Sequence, residues 1–545
     1  MTRARRLVLI LAFVVFAWNA WGYDLWAPDE PYFAEGAREM LADGQWLVPH
    51  VNGVVTTDKP PLFFWLIALC SAPFGGVASL TARIPSILAG LGTVWLTMRL
   101  GRRLGGERTG VVAGIVMATS YLLWDKARSA QIDSLLCFLV LAAISAFEAW
   151  RAGDLDGRRA GWIFWIAGGL ATIAKGPVGF LLPLGAALVV LAFDRDLKSW
   201  RRFAPFTGPL LCLAVIALWA LPAELWGGEY SLFGALKTHF FDRALHGMHH
   251  KNPPWYYVGA IAAQFMPWTP LLPGAVLLAW RRRAAKLDRL LLLWPLFVVL
   301  FFTLSGERRD LYVLPAYPAL ALLVARLASR AAGWDEGEGR ESVSTRWTTW
   351  GCGVAGAFFL IAGLAAPLVA RRQAEALYHP ALAVGFVAAA TGVCALVAAF
   401  RARPRAAFWA VAGGVSAVFV VAVSLLYPPL DAVKSARSFA VAARAETEKY
   451  RAAGGEVLAF DLSNVPEALS YYGRGFYTKE TDDAQALAAH LGRAEEAFAV
   501  VSWRDAQRAL PPELLSRLTI LERRDLSKMD VALVVNRPAA PGAAR

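Results

Sequence analysis

Two acids and a scatter of cations carry most of the chemistry available to this chain. Asp29 and Glu30 open the stretch DEPYFAEGAREMLADGQWLVPHVNGVVTTDKPP, which is polar and charged in an otherwise largely apolar chain. Asp133 begins a later apolar segment, after Arg128 and Gln131. Acids at one mouth of a helical bundle suit general-base work or the orientation of a hydroxyl nucleophile. They also have a plainer use, because a carboxylate at a helix start stabilises it by about 0.3–1 kcal/mol. Lys59, Lys175, Arg308 and Arg309 lie at the ends of apolar segments, and Arg83 lies inside one. Cations gathered at one face fit an anionic ligand, phosphate above all. A charge at membrane depth is a functional candidate by default. Snorkelling to headgroups, or pairing with an acid, is the alternative use. Tyr312 could donate a hydrogen bond to the same anion or belong to an interfacial aromatic belt.

Four of the seven histidines, His239, His246, His249 and His250, fall in HFFDRALHGMHHKNPPWYY. A His cluster can hold a metal, and Asp58 from the first polar stretch could complete the set. Helix-spaced ligand pairs are absent, so a divalent metal enters as an optional cofactor, not a required one. There is no P-loop, dinucleotide fingerprint or Ser-His-Asp spacing, which argues against direct nucleotide use. The five cysteines all fall in apolar segments without paired spacing and read as packing residues.

These residues need a membrane scaffold to position them. The chain has 545 residues, 57% apolar and 18% charged, with 22 Trp. That balance excludes an ordinary soluble enzyme and fits a polytopic membrane protein. The net charge of +13 is spread in short clusters between apolar runs, so nucleic acid is not an expected partner. A crossing helix needs roughly 20 apolar residues. Thirteen segments qualify: 6–23, 79–100, 108–124, 133–150, 161–174, 177–193, 204–222, 257–280, 287–304, 311–329, 348–370, 381–400 and 406–427. The first reads as a retained span, since no small-residue cleavage site follows it.

Thirteen crossings put every basic cluster (Arg3–Arg6, Arg99–Arg108, Arg151–Arg159, Arg195–Arg202, Arg281–Arg289, Arg326–Arg346 and Arg401–Arg405) on one side, the cytoplasm. The loops 24–78 and 223–256 and the C-terminal region then lie outside. Leu62–Phe74 is apolar but short, with proline near both ends, and reads as a helix in the outer interface. Short amphipathic helices are expected near 29–43 and around Trp46. The sequence therefore divides into a membrane domain, 1–427, and an outer α/β domain, 428–545, with a disordered tail. In the latter, VLAFDL, ALSYYG, AFAVVSW, LTILER and VALVVN read as strands between helices near 434–452, 482–492 and 504–509.

With these residues in view, DEPYFAEGAREMLADGQWLVPHVNGVVTTDKPPLFFWL resembles the first outer loop of bacterial polyprenol-phosphate-sugar glycosyltransferases. That group belongs to the protein O-mannosyltransferase superfamily and includes the 4-amino-4-deoxy-L-arabinose lipid A transferases. The resemblance continues through TARIPSILAG, the Asp133 region, IAKGPVGFLLP, HKNPPWYY and FFTLSGERRDLYVLPAYPALALL, in order and over nearly all of 1–330. It implies a GT-C bundle with a periplasmic active site and an undecaprenyl or other polyprenyl monophosphate sugar donor. By the same resemblance Asp29 matches the acid after the first span, the candidate catalytic residue, and Asp133 matches a second outer acid. Lys59 matches the lysine associated with the lipid phosphate, and Arg308 and Tyr312 match the basic residue and tyrosine before a Pro-rich span. Asp58 and His250 match positions that bind zinc in some aminoarabinose transferases. The chain departs from the usual DETRYAE and FEKP forms, reading DEPYFAE and TDKPP.

The expectation is a membrane glycosyltransferase of the bacterial inner membrane, with a cytoplasmic N-terminus and a periplasmic C-terminal domain. Lipid A is the first-choice acceptor, and protein or another envelope glycan the alternative. The non-enzyme alternative is a polyprenyl-phosphate transporter or flippase, which broken midplane helices or inverted repeats would favour.

Overall fold

The computed structural model describes residues 2–238, 252–336, 340–462, 465–526 and 529–537. The chain forms two compact units. The first comprises Met1–Ala20, Thr57–Phe63 and Arg83–Tyr427, and the second comprises Trp21–Thr56, Phe64–Ala82 and Pro428–Arg545. The first polar loop, grouped with the membrane helices in the sequence reading, thus has most of its contacts with the C-terminal region.

The first unit is helical, and the protein is a polytopic membrane protein. Each of the thirteen apolar segments overlaps a helix. Among the described residues eight helices are long and apolar enough to cross a membrane, nine if one bent pair counts as a single span. The difference from thirteen has physical causes. The segments 79–100 and 108–124 meet in the run Ser79–Ala118, broken at Gly105 and Gly106. Gly106 has φ +85°, and a Cβ there would lie 2.1 Å from the Glu336 side chain, so only glycine fits. Segment 257–280 is the bent pair, Tyr256–Gln264 and Thr269–Arg281, turned by 113°. Pro267 lies in its break and cannot supply a backbone donor. The helices Arg3–Ala17 and Val178–Phe193 are short, at 15 and 16 residues, and Gly157–Lys175, with two arginines in its first turn, is not among the eight. The best-buried crossing is Asp310–Ala332, a 3₁₀ turn that leads into the helix Tyr317–Ala332.

In the second unit, Asp29–Asp43 is a helix closed by left-handed Gly44. The region around Trp46 is not helical. Instead β1 (His50–Val51) and β2 (Val54–Val55) form an antiparallel hairpin. Its turn is Asn52-Gly53, with φ +58° and +75°, the residue pair that two-residue hairpins favour. Leu62–Ser71 is a ten-residue helix, too short to cross.

The C-terminal sheet has five strands: β3 (Leu458–Phe460), β4 (Lys479–Thr481), β5 (Phe498–Ser502), β6 (Thr519–Leu526) and β7 (Met529–Val535). Their order is β4-β3-β5-β7-β6, with β3 parallel to β4 and β5, and β7 antiparallel to β5 and β6. Both faces are covered. Phe439, Ala443 and Leu469 pack on one, and Leu487, Leu491 and Trp503 on the other. ALSYYG, read as a strand, is instead the body of the helix Pro466–Tyr472. Pro466 at its first turn and Glu467 beside it are helix-start residues, and they outweigh the β-prone tyrosines.

Candidate active site

In the first unit, Asp133 is the first residue of the helix Asp133–Arg151 and is buried. Lys175, the last residue of the helix Gly157–Lys175, reaches across and donates from Nζ to Asp133 Oδ1. The same ammonium lies 5.1 Å from the centre of the Tyr312 ring. Tyr312 is held in the 3₁₀ turn Asp310–Ala316 and packs on Phe302, with ring centres 5.1 Å apart. Lys59 and Arg309 are both close enough to act on Lys175 as like charges. Lys59 pairs with Asp58 at 2.7 Å. Four of the residues expected from sequence, Asp133, Lys175, Lys59 and Tyr312, therefore gather here. Like charges that crowd together raise the energy of the site, and an anion among them lowers it.

Other expected residues have different surroundings. Arg308 uses its guanidinium on backbone, donating to the Thr303 carbonyl at 2.7 and 3.1 Å and to the Asn252 carbonyl. Asn252 returns a bond to the Arg308 carbonyl at 2.9 Å. Arg308 thus fastens Asn252 to the turn before Tyr312, while its neighbour Arg309 is the residue that acts on Lys175. Arg83 is fully buried and donates to the Ala20 carbonyl at 2.7 Å. Sequence reasoning gave no role to Gln264 and Asp310, yet Gln264 donates to Asp310, which also accepts from the Leu311 amide at 2.9 Å. The carboxylate beside the turn was visible in the sequence, but its partner 46 residues away was not.

In the second unit, Asp29 starts its helix and is half-buried. Glu30 is buried and accepts from the Trp26 amide at 3.0 Å, which ties down the approach to the helix. One turn on lies a cluster that the sequence hinted at only by spacing. Glu35 is fully buried and receives a two-pronged bond from Arg38, at 2.7 and 2.8 Å, and a bond from the Ser470 hydroxyl. Arg38 also reaches the Tyr477 hydroxyl at 3.3 Å. Glu39, buried beside Glu35, accepts from the Gly53 amide at 3.2 Å. Burial, together with a hydrogen bond and like charge from Glu35, pushes the Glu39 carboxyl up to about 8. Asn52 clasps residue 478 in both directions, at 2.8 and 3.1 Å. These bonds join the first loop to the C-terminal region.

His239, His246, His249 and His250 lie outside the described residues. Asp58, the other candidate ligand, is engaged by Lys59, and no group of three His, Cys, Asp or Glu could hold a metal among the described residues. The described residues therefore do not supply a metal donor set.

A family profile described as dolichyl-phosphate-mannose-protein mannosyltransferase matches residues 58–221. The chain is 32% identical over 320 residues to the undecaprenyl phosphate-alpha-4-amino-4-deoxy-L-arabinose arabinosyl transferase of Edwardsiella ictaluri, covering 57% of this chain and 56% of that one. It is 32% identical over 312 residues to the protein of the same name from Pseudomonas aeruginosa, covering 55% of each. The matched region thus spans about half the length of these relatives. The structure resembles ArnT from Cupriavidus metallidurans bound to undecaprenyl phosphate, with a TM-score of 0.75 at 21% identity over 99% of this chain and 98% of that one. For the same protein in the apo state the TM-score is 0.76 at 20% identity. The resemblance to the polyprenol-phosphate-sugar transferases is borne out, and the chain has the ArnT-like GT-C fold.

Proposed function

We propose that this chain transfers a sugar, of the aminoarabinose type, from an undecaprenyl-phosphate carrier to lipid A at the periplasmic face of the bacterial inner membrane. The observation that carries the reading is the convergence of Lys59, Lys175 and Arg309 around Tyr312 and Asp133. Three cations at one place fit a lipid phosphate, and the similarity to undecaprenyl-phosphate transferases names the donor class. Thirteen crossings, with a cytoplasmic N-terminus and the C-terminal domain outside, belong to the same proposal.

In the reaction the bond between the anomeric carbon and the phosphate oxygen breaks, and the phosphate keeps the electron pair. An acceptor oxygen forms the new bond to that carbon. The barrier falls when cations stabilise the charge gathering on the phosphate, and fixed electrostatics of this kind is often the largest catalytic contribution. Lys59 is assigned that role first. Lys175, already bonded to Asp133, is held in place by it and adds its field. When the acceptor is itself a phosphate, as on lipid A, it needs little deprotonation. Asp29 is then assigned the orientation of the acceptor or the steadying of positive charge on the sugar. If zinc binds at Asp58 and His250, it would add positive charge there, and no step above depends on it.

The test is mass spectrometry of lipid A from cells with and without the gene. A sugar-sized mass should vanish on deletion, return with the wild type, and stay absent with Asp29→Asn. Unchanged lipid A would overturn the acceptor assignment. The mannosyltransferase family match would then direct the search to periplasmic glycoproteins.

A further inference from the structure

A hollow in the first unit lies among residues other than those of this site, beside the basic clusters 326–346 and 401–405. It is a groove of about 600 Å³ lined by Arg340, Ser342, Thr345, Arg346, Thr349 and Trp350 on one side and by Ala399 and Ala402 on the other. That volume lies within the range of roughly 300–1,000 Å³ typical of small-ligand clefts. The groove joins the first turns of the helix Ser342–Gln373 to the turn after the helix Tyr378–Phe400.

Its charge is positive. Arg346 is exposed and makes no ion pair with a described residue. Arg340 makes one long bond, 3.4 Å, to the Thr345 hydroxyl. Arg405 approaches the same place, because a Cβ on Gly333 would lie 3.6 Å from its guanidinium and 3.9 Å from the Arg340 Cβ. Glu341, next to Arg340 in the chain, accepts from Arg330 at 3.0 Å and from the Ser344 hydroxyl at 2.7 Å. The hydroxyls of Ser342, Thr345 and Thr349 line the groove beside the arginines.

Trp350 at the rim is 66% exposed, and one stripe of the same helix continues from it with Val354, Ile361 and Leu368 at 51, 68 and 67%. The spacing of 4, 11 and 18 residues keeps these on one face. In a membrane helix, an apolar stripe exposed to this extent faces acyl chains. Guanidinium groups at one end and a lipid-facing stripe at the other match the two halves of a single molecule.

We propose that this groove binds the headgroup of an anionic phospholipid, with its acyl chains lying along the Trp350–Leu368 stripe. Basic pockets between membrane helices on the cytoplasmic side recognise such headgroups. Arg340 and Arg346 contact the phosphate, and Trp350 marks the depth of the glycerol backbone. The site is separate from the sugar-donor site and does not depend on the transfer reaction.

The experiment uses the full chain in detergent, titrated with dioleoyl phosphatidylglycerol and followed by native mass spectrometry. Dioleoyl phosphatidylethanolamine and inorganic phosphate are run in parallel. Each arginine near a membrane surface contributes about 5-fold in affinity for an anionic lipid. Arg346→Gln should therefore weaken phosphatidylglycerol binding about 5-fold, and Arg340→Gln with Arg346→Gln roughly 30-fold. Arg346 is exposed and makes no hydrogen bond or ion pair with a described residue, so the single variant keeps the fold and decides the matter even if the double variant does not express. A control pair, Arg195→Gln with Arg201→Gln, should leave binding unchanged. Equal binding of the two lipids, unchanged binding in Arg346→Gln, or binding of phosphate alone as tight as that of the lipid would each overturn the proposal.

Discussion

Two buried charge clusters invite comparison. Around Glu35 in the second unit, the groups answer one another: Arg38, Ser470 and Tyr477 donate, the Gly53 amide meets Glu39, and burial together with Glu35 keeps the second carboxyl protonated at neutral pH. Around Lys175 in the first unit, Asp133 is the acid that accepts its bond and Tyr312 offers its ring, while two further cations act on the same ammonium. The first cluster is complete without a ligand and holds segments together. The second gains when an anion arrives. Burial of charge is common to both, so burial alone does not mark a functional site. The balance of sign within reach of the buried group does.

That distinction can be broken experimentally. If it holds, the largest effect is on transfer. Lys59→Ala should lower the rate by about 10²–10³-fold while the protein remains folded, as judged by its thermal transition in detergent. Full activity in both Lys59→Ala and Asp29→Asn would sink the proposed mechanism.

Next comes the Asp133–Lys175 pair. Lys175→Met leaves a buried acid without this partner and should cost about 3–5 kcal/mol, whereas Lys175→Met with Asp133→Leu should recover most of it. Thermal unfolding of the three proteins measures the difference. Activity should stay low in both variants, because the cation is missing in each.

The Glu35 cluster predicts a pH effect of definite sign. Glu39 ionises near 8 when folded, against 4.5 ordinarily. The folded state therefore holds the extra proton, and its stabilisation is complete below about 4.5. It declines as pH rises toward 8, at about 1.4 kcal/mol per unit at most. Hydrogen exchange in peptides covering 35–55 and 466–480 should quicken over that window. Glu39→Gln should flatten the response, and an unchanged slope would show that another group titrates.

The smallest effect tests the hairpin. Gly53→Ala places a side chain at φ +75° and should cost about 1 kcal/mol, loosening the clasp between Asn52 and residue 478 without touching transfer.

Much of this was legible in sequence because it is local. Apolar runs located the helices, and Asp133 and Lys175 were picked out as ends of spans with chemistry to offer. Arg38 stands three residues after Glu35 and one before Glu39, so that part of the second cluster is local too. What sequence could not supply was the partner. Ser470 lies 435 residues from Glu35, and Lys175 lies 42 from Asp133. The use of Arg308 on backbone carbonyls had no signature, since any arginine can do it. The Asn52-Gly53 turn did have one, but it lay in a stretch dominated by charged and helix-forming residues. ALSYYG misled because its tyrosines suggested alternation while Pro466 set the local geometry.

The C-terminal sheet ends on β6, whose outer edge bears Glu522, Arg523, Arg524 and Asp525, with Arg523 gripping Asp530 at 2.7 and 2.8 Å. Proteins confined to a bilayer meet one another far more often than the same number in solution, and a bare strand edge is a template for pairing. Acids and bases mixed along this edge make a neighbour's strand pay for stripping water from ions before any backbone bond can form. Copies of the protein can therefore crowd in a patch of membrane without zipping into a continuous sheet.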